Sequence, residues 1–223
     1  MEPIAHIESP FGSKFGVPRQ SGITNDIISF VVFEPQYRNA EALRGIEEFE
    51  YIWLLWQFHG VSGWSPTVRP PRLGGNRRMG VFATRSPYRP NHIGLSSVRL
   101  LRVEECPDKG HCLVVGGADL MDGTPILDIK PYLPYTDAHP EARSGFATCA
   151  PQAKLNVEIA PSVAANLPPT LLTQLREILA LDPRPQYQDD PTRIYGITLW
   201  GYDFKFKVVG NVLSVISSSD EAR

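Results

Sequence analysis

The sequence predicts a mainly β protein: a closed or nearly closed β-barrel over residues 1–150, not of the Rossmann type, followed by a small α+β unit over residues 151–223. Three observations predict it. Short runs rich in β-branched and aromatic residues, bounded by Gly, Pro and Asn, recur through the first two-thirds of the chain. Helical periodicity between them is brief, so the ten-residue crossovers of a doubly wound parallel sheet are missing. Around "SGFATCAPQAK" the strand rhythm lapses and a different plan begins.

The expected strands are "ISFVVF", "YIWLLWQF", "GVFAT", "GLSSVRLLRVEE" and "CLVVGGADL", with a helical signal at "NAEALRGI". "GVSGW" and "RLGGNRRMG" do not both follow a strand and open a helix, so their glycines read as loop residues rather than a dinucleotide-binding turn. In the second unit "APSVAANLPPTLLTQLREILAL" has near-helical apolar spacing, with Thr170 as the expected N-cap. Three strands follow, "RIYGITLW", "DFKFKVV" and "VLSVIS", the last two joined by a Gly210-Asn211 turn. Lys205 and Lys207 alternate with Phe204 and Phe206, which a half-buried strand explains.

Composition bounds the function. The chain has 223 residues, 42% apolar and 21% charged, with no apolar run long enough to span a bilayer, so a soluble globular protein is expected. "MEPIAHIESP" has neither the basic nor the apolar region of a signal peptide, which makes the cytoplasm the expected compartment. Cys106, Cys112 and Cys149 form no paired motif and read as buried thiols. His6, His59, His92, His111 and His139 lie far apart, so no metal is expected, and no Gly-x-Ser-x-Gly elbow supports a hydrolase.

The net charge of −2 hides an uneven distribution. Between Tyr51 and Val103 there is no Asp or Glu and no Lys, yet the window holds eight of the sixteen arginines, interleaved with Trp64, Phe82 and Tyr88. Arginine without lysine favours multidentate recognition of phosphate or carboxylate, so an anion or RNA surface is expected here. Arg69, Arg72, Arg77, Arg78 and Arg89 are the candidates for RNA phosphates, with Arg184 and Tyr187 of the second unit. Pro87 and Pro90 stiffen the segment "MGVFATRSPYRPNHIGLS" that carries Arg85 and Arg89. Farther on, "DLMDGTPILDIKPYLPYTDA" groups Asp119, Asp122, Asp128, Lys130 and Tyr132, a candidate acid/base or ligand-clamping cluster, although Asp122-Gly123 alone is ordinary turn chemistry.

Long ordered stretches carry a resemblance: "IESPFGSKFGVPRQSGI", "FHG", "SPTVRPPRLGGNRRMGVFATRSPYRPNHIGLS", "DLMDGTPILDIKPYLPY" and "LDPRPQY". Over nearly its whole length the chain resembles the TsaA-like (TrmO) family of tRNA methyltransferases. The resemblance implies a β-barrel catalytic domain that binds S-adenosyl-L-methionine, and methyl transfer to N6 of threonylcarbamoyladenosine at position 37, next to the anticodon. It implies a homodimer, a tRNA anticodon stem-loop as partner, and cofactor contacts from Pro18, Arg19, Gln20, His59, Gly60, Arg85, Leu95, Asp119, Leu120, Met121 and Asp122. For the transfer itself, Arg85 or Lys130 is expected to stabilise developing negative charge, Asp122 or Asp128 to take the proton, and Tyr132 to orient the base. One departure stands out: the family often has proline where His92 sits, which keeps His92 out of the catalytic set. The competing expectation is a non-catalytic barrel that binds RNA or senses the cofactor.

Overall fold

The computed structural model describes residues 1–148, 155–184 and 190–220. Strands β1 (Ala5–Glu8), β2 (Ile28–Phe33), β3 (Tyr51–Gln57), β4 (Thr67–Val68), β5 (Met79–Gly80), β6 (Ile93–Cys106), β7 (Gly110–Gly116) and β8 (Pro125–Pro131) precede a one-turn helix α1 (Pro134–Asp137). After them come β9 (Asn156–Ile159), α2 (Pro161–Ala164), α3 (Pro169–Ala180), β10 (Tyr195–Leu199), β11 (Tyr202–Val209) and β12 (Val212–Asp220). The mainly β class read from the sequence is borne out.

Six strands pair antiparallel in the order β1-β2-β7-β6-β3-β8, and β8 returns to β1, so the sheet closes without an edge. Alternation decides which side faces in. On β3, Ile52, Leu54 and Trp56 are buried while Tyr51, Trp53 and Leu55 face outward. The inner side chains join Ile7, Val31, Val98, Leu113 and Ile126 in one core. β4 and β5 form a separate two-stranded ladder within the long excursion between β3 and β6.

The second sheet has the order β10-β11-β12-β9, with β9 parallel to β12. Helix α3 lays Leu175, Ile178 and Leu179 against it. Phe204 and Phe206 are fully buried and Lys205 and Lys207 exposed, as the alternation predicted. This core also takes residues from the loop between β1 and β2: Phe11 and Ile27 are buried in it, and Phe15 and Val17 pack against it. Phe11 bridges to Leu199, and the Trp200 amide donates to the Pro10 carbonyl at 3.2 Å. Gly16 has φ +100, and a Cβ there would lie 2.3 Å from Ile197 Cδ1, so only glycine permits this approach of loop to strand.

Four local expectations are corrected. "GVFAT" is not a strand: after β5 the chain makes a 3-10 turn at Val81–Ala83. "NAEALRGI" gives two short 3-10 turns, Ala40–Leu43 and Ile46–Glu48, because too few apolar positions exist there to support a longer helix. Thr170 is not the N-cap: Pro168 holds that place, and Pro169, its φ already helical, starts α3. Cys106 is only half-buried, whereas Cys112 is buried and Cys149 lies outside the described residues. Among the described residues no helix is long and apolar enough to cross a membrane.

Phe206 stacks between Phe15 and Tyr195, with ring centroids 6.3 and 5.5 Å away. Phe206→Ala is expected to lower the unfolding free energy by about 3–5 kcal/mol in denaturant titration; a loss below about 1 kcal/mol would contradict this packing.

Candidate active site

A cleft of about 360 Å³ opens beside the start of β6. Its aromatic wall is Trp56, buried at the end of β3, with Phe58 edge-on at 4.3 Å between centroids. Trp56 lies opposite Gly94 in the β3–β6 register. The indole covers that glycine so closely that a Cβ on residue 94 would sit 2.3 Å from a ring carbon. The Trp56 Nε1–H donates to Ser96 Oγ at 3.0 Å, and the Ser96 hydroxyl donates to Asp119 Oδ1 at 2.6 Å. Burial pushes the Asp119 carboxyl above the ordinary carboxylate range, against the pull of the Ser96 bond, its own and the Ser21 backbone, and the Arg85 charge. Asp119 is the only carboxylate among the residues lining the cleft.

The facing wall is basic. Pro18, Arg19 and Gln20 come from the loop that the second core anchors, and the Arg85 guanidinium donates to Gln20 Oε1. Arg85 rides on a segment folded back on itself. Arg89 donates to the carbonyls of Thr84 and Ser86 at 3.0 and 3.2 Å, and the Thr84 hydroxyl to Val81 at 2.8 Å. His92 closes the segment. A carbonyl only accepts, so Nδ1 carries the hydrogen in the 2.8 Å bond to Pro87 O. The His92 amide donates to Arg89 O at 3.3 Å, and its own carbonyl accepts from the Phe58 amide at 2.8 Å. With φ +51 and its amide donating, this backbone excludes proline at residue 92.

Six of the expected cofactor residues line the cleft: Pro18, Arg19, Gln20, Arg85, Leu95 and Asp119. The others do not. His59 and Gly60 form the turn beyond β3, where Lys14 Nζ donates to Gly60 O at 2.6 Å. Leu120 is a barrel-core residue, and the Met121 carbonyl accepts from the Thr124 amide and hydroxyl. Asp122 Oδ1 accepts the Ser9 amide at 2.9 Å, which is the turn chemistry its Asp-Gly dipeptide permits. The acid/base candidates likewise stand outside the cleft lining. Asp128 and Lys130 form an exposed ion pair at 2.9 Å on the outward face of β8. Leu95, Leu55 and Asp128 stand in register across β6, β3 and β8, which puts Asp128 two strand spacings, about 10 Å, from the cleft edge. Tyr132 packs on Tyr51 and Trp53, with centroids 6.2 and 5.5 Å away.

Of the expected RNA-contacting arginines, Arg69, Arg77 and Arg78 are exposed on the excursion that carries β4 and β5, with Arg78 donating to Thr67 Oγ1 at 2.9 Å. Arg72 lies in the 3-10 turn Pro71–Leu73, and Arg89 is engaged as described. Arg184 is only 8% exposed and forks onto Asp182, so it is not offered to a nucleic acid, while Tyr187 lies outside the described residues. Among the described residues no group of three or more His, Cys, Asp and Glu could hold a metal ion.

Sequence reasoning missed Trp56, Phe58 and Ser96. Alternation in "YIWLLWQF" places Trp56 on the inward face, but its partners are fixed only by the β3–β6 register. Gly94→Ala is expected to displace the indole, shifting tryptophan emission and destabilising the protein by about 1–3 kcal/mol. Unchanged emission and stability would contradict the close approach.

Residues 6–138 match the model of the tRNA-methyltransferase O N-terminal domain, and residues 152–221 that of the TrmO C-terminal domain. The chain is 43% identical over 217 residues to the tRNA (adenine(37)-N6)-methyltransferase of Escherichia coli K12, covering 93% of this chain and 92% of that protein. It is 52% identical over 163 residues to the enzyme of the same name from Eikenella corrodens, covering 72% of this chain and 91% of the other. The crystal structure of TrmO from Pseudomonas aeruginosa superposes with a TM-score of 0.79 at 34% identity, over 97% of each chain. With family domains matched along both parts of its length and relatives alike over nearly the whole of it, the chain belongs to the tRNA-methyltransferase O family.

Proposed function

We propose that this protein transfers the methyl group of S-adenosyl-L-methionine to N6 of adenosine 37 of tRNA, and that the form acted on carries the threonylcarbamoyl group. The observation that carries the reading is the mixed charge of one cleft: a half-buried carboxylate, Asp119, at the aromatic wall, with Arg19 and Arg85 in the same lining. A ligand that is itself cationic and anionic fits such a cleft, and S-adenosylmethionine has a sulfonium, an ammonium and a carboxylate. Trp56 and Phe58 offer apolar surface beside the positive sulfur, Asp119 a counter-charge, and Arg19 and Arg85 the donors for a carboxylate.

When bound, the cofactor would supply a methyl group on a positively charged sulfur: the nitrogen–carbon bond forms as the carbon–sulfur bond breaks, a neutral thioether leaves, and the N6 proton passes to solvent water. The carbamoyl carbonyl next to N6 weakens the nucleophile and acidifies it, so a cation near that oxygen favours transfer. Arg85, in the cleft and steadied by Gln20, suits that role. The remainder is positioning: holding two reactants in line is worth up to about 7–11 kcal/mol, and the hydrogen-bonded segment from Val81 to His92 is what keeps this wall in place. Asp122, Asp128, Lys130 and Tyr132 stand outside the cleft lining and have no part in this proposal. The homodimer implied by the family offers His59 and Gly60, outside this chain's own cleft, a route to the cofactor of a second copy, and a tRNA substrate is met in the cytoplasm.

A single-turnover assay with labelled cofactor and tRNA carrying or lacking threonylcarbamoyladenosine tests the reading. Label is expected only in the modified tRNA, and Arg85→Ala should lower the rate at least tenfold; cofactor binding without transfer to either RNA would replace the enzyme with a sensing barrel. Asp119 gives a pH prediction. Its folded carboxyl binds its proton more tightly than in the unfolded chain, so its contribution to stability is lost as pH rises through the raised folded value. Asp119→Asn should therefore raise the melting temperature at neutral pH. A cation bound beside the ionised carboxylate favours that form, so wild-type cofactor affinity should fall as pH drops through the raised value, and the Asn variant should lack this component in calorimetric titration.

A further inference from the structure

Trp64, Phe82 and Tyr88 are exposed to 57%, 75% and 47%, whereas Trp56, Phe58, Tyr195 and Phe206 all pack against other rings. The three exposed rings belong to a single lobe. The Ser65 amide donates to Tyr88 O at 3.1 Å, the Val81 amide to Pro66 O at 3.0 Å, and Thr67 pairs with Gly80, so the flanks of each ring are tied to one another. The lobe also adjoins the cleft: Phe82 is two residues from Thr84, and Tyr88 precedes Arg89, both cleft-lining. Two Cα steps span at most about 7.6 Å, close to two stacked bases.

Charge selects the occupant. The lobe contains no acidic residue and carries Arg69, Arg77 and Arg78 exposed beside the rings. Exposed aromatics amid arginines, with no carboxylate to repel a backbone, match single-stranded nucleic acid: phosphates meet the guanidiniums and unpaired bases stack on the rings. A base can enter a closed cleft only after leaving its stack, and the neighbour it abandons needs a new surface. We propose that Trp64, Phe82 and Tyr88 form a stacking platform for unpaired RNA loop bases flanking the base that enters the cleft. The platform rests on the tRNA reading above and adds to it where the loop lies.

The test is titration of the full chain with an unmodified anticodon stem-loop RNA, read by tryptophan fluorescence and filter binding, with oligomeric state followed by light scattering. Trp64 emission is expected to quench on binding and the quench to vanish in Trp64→Phe, which keeps a ring and stays within about threefold of wild-type affinity. Trp64→Ala and Phe82→Ala should each weaken binding about tenfold or more without changing the salt slope, whereas Arg77→Ala should reduce that slope by about one. Loss of self-association in Trp64→Ala with RNA affinity unchanged would overturn the platform and make the lobe a contact between copies. Unchanged affinity in both alanine variants, in a protein that methylates tRNA, would overturn it while leaving the activity standing. A Trp64 quench with alanine-sensitive binding in a protein that transfers no methyl would uphold the platform and overturn the activity.

Discussion

The loop between β1 and β2 joins two strands of the barrel yet buries its own apolar residues in the core of the second unit, and the cleft depends on that. It leaves the barrel at Ser9, buries Phe11 and Ile27 in the second sheet's core, presses Gly16 on Ile197, and rejoins the barrel at β2. Between these fixed points Val17, Pro18, Arg19 and Gln20 have little freedom, and they form one wall of the cleft. The second unit thus contributes to the site without lining it: its aromatic core, centred on Phe204 and Phe206, determines where the Arg19–Gln20 wall stands. Contact through a buried core costs such a wall far less ordering entropy on binding than a free surface loop would require.

The opposite wall is fixed by the barrel. Gly94 lets the Trp56 ring lie on β6, the ring's N–H orients Ser96, and Ser96 holds Asp119. Each bond satisfies a polar group that burial would otherwise penalise, so the chain of three is stable only as a whole. Desolvation raises the Asp119 carboxyl, a cost of ionising it in the free protein that a cation beside it would offset. The proposed cofactor relieves it, consistent with a site built for binding at some loss of stability in the free protein.

Much of this was legible in the sequence. The strands of β2, β3, β6 and β10–β12 follow from alternation and turn residues. Pro18–Gln20, Arg85, Leu95 and Asp119 were expected from the family resemblance that the ordered motifs carry, and they line one cleft. The failures share a physical cause. Proximity along the chain made Asp122, Asp128, Lys130 and Tyr132 look like one site, but Asp122 is held in a turn, and the other three, at a spacing of two, share the outward face of β8 and its end, away from the cleft. Arg184 read as a free cation because its Asp182 partner requires a fold-back with φ +55 that no residue type announces. Trp56 and Ser96 went unseen because strand register, which pairs residues some forty positions apart, is a tertiary property.

The most direct test of the account is backbone hydrogen exchange of the full chain with and without S-adenosylhomocysteine. Binding in the cleft predicts slowed exchange in residues 17–21, 84–95 and around Asp119, with the Asp128–Lys130 segment and the β4–β5 lobe unchanged. Protection confined to residues 121–132, with 17–21 and 84–95 unaffected, would place the cofactor on the outer face of β8 and contradict the cleft as the site.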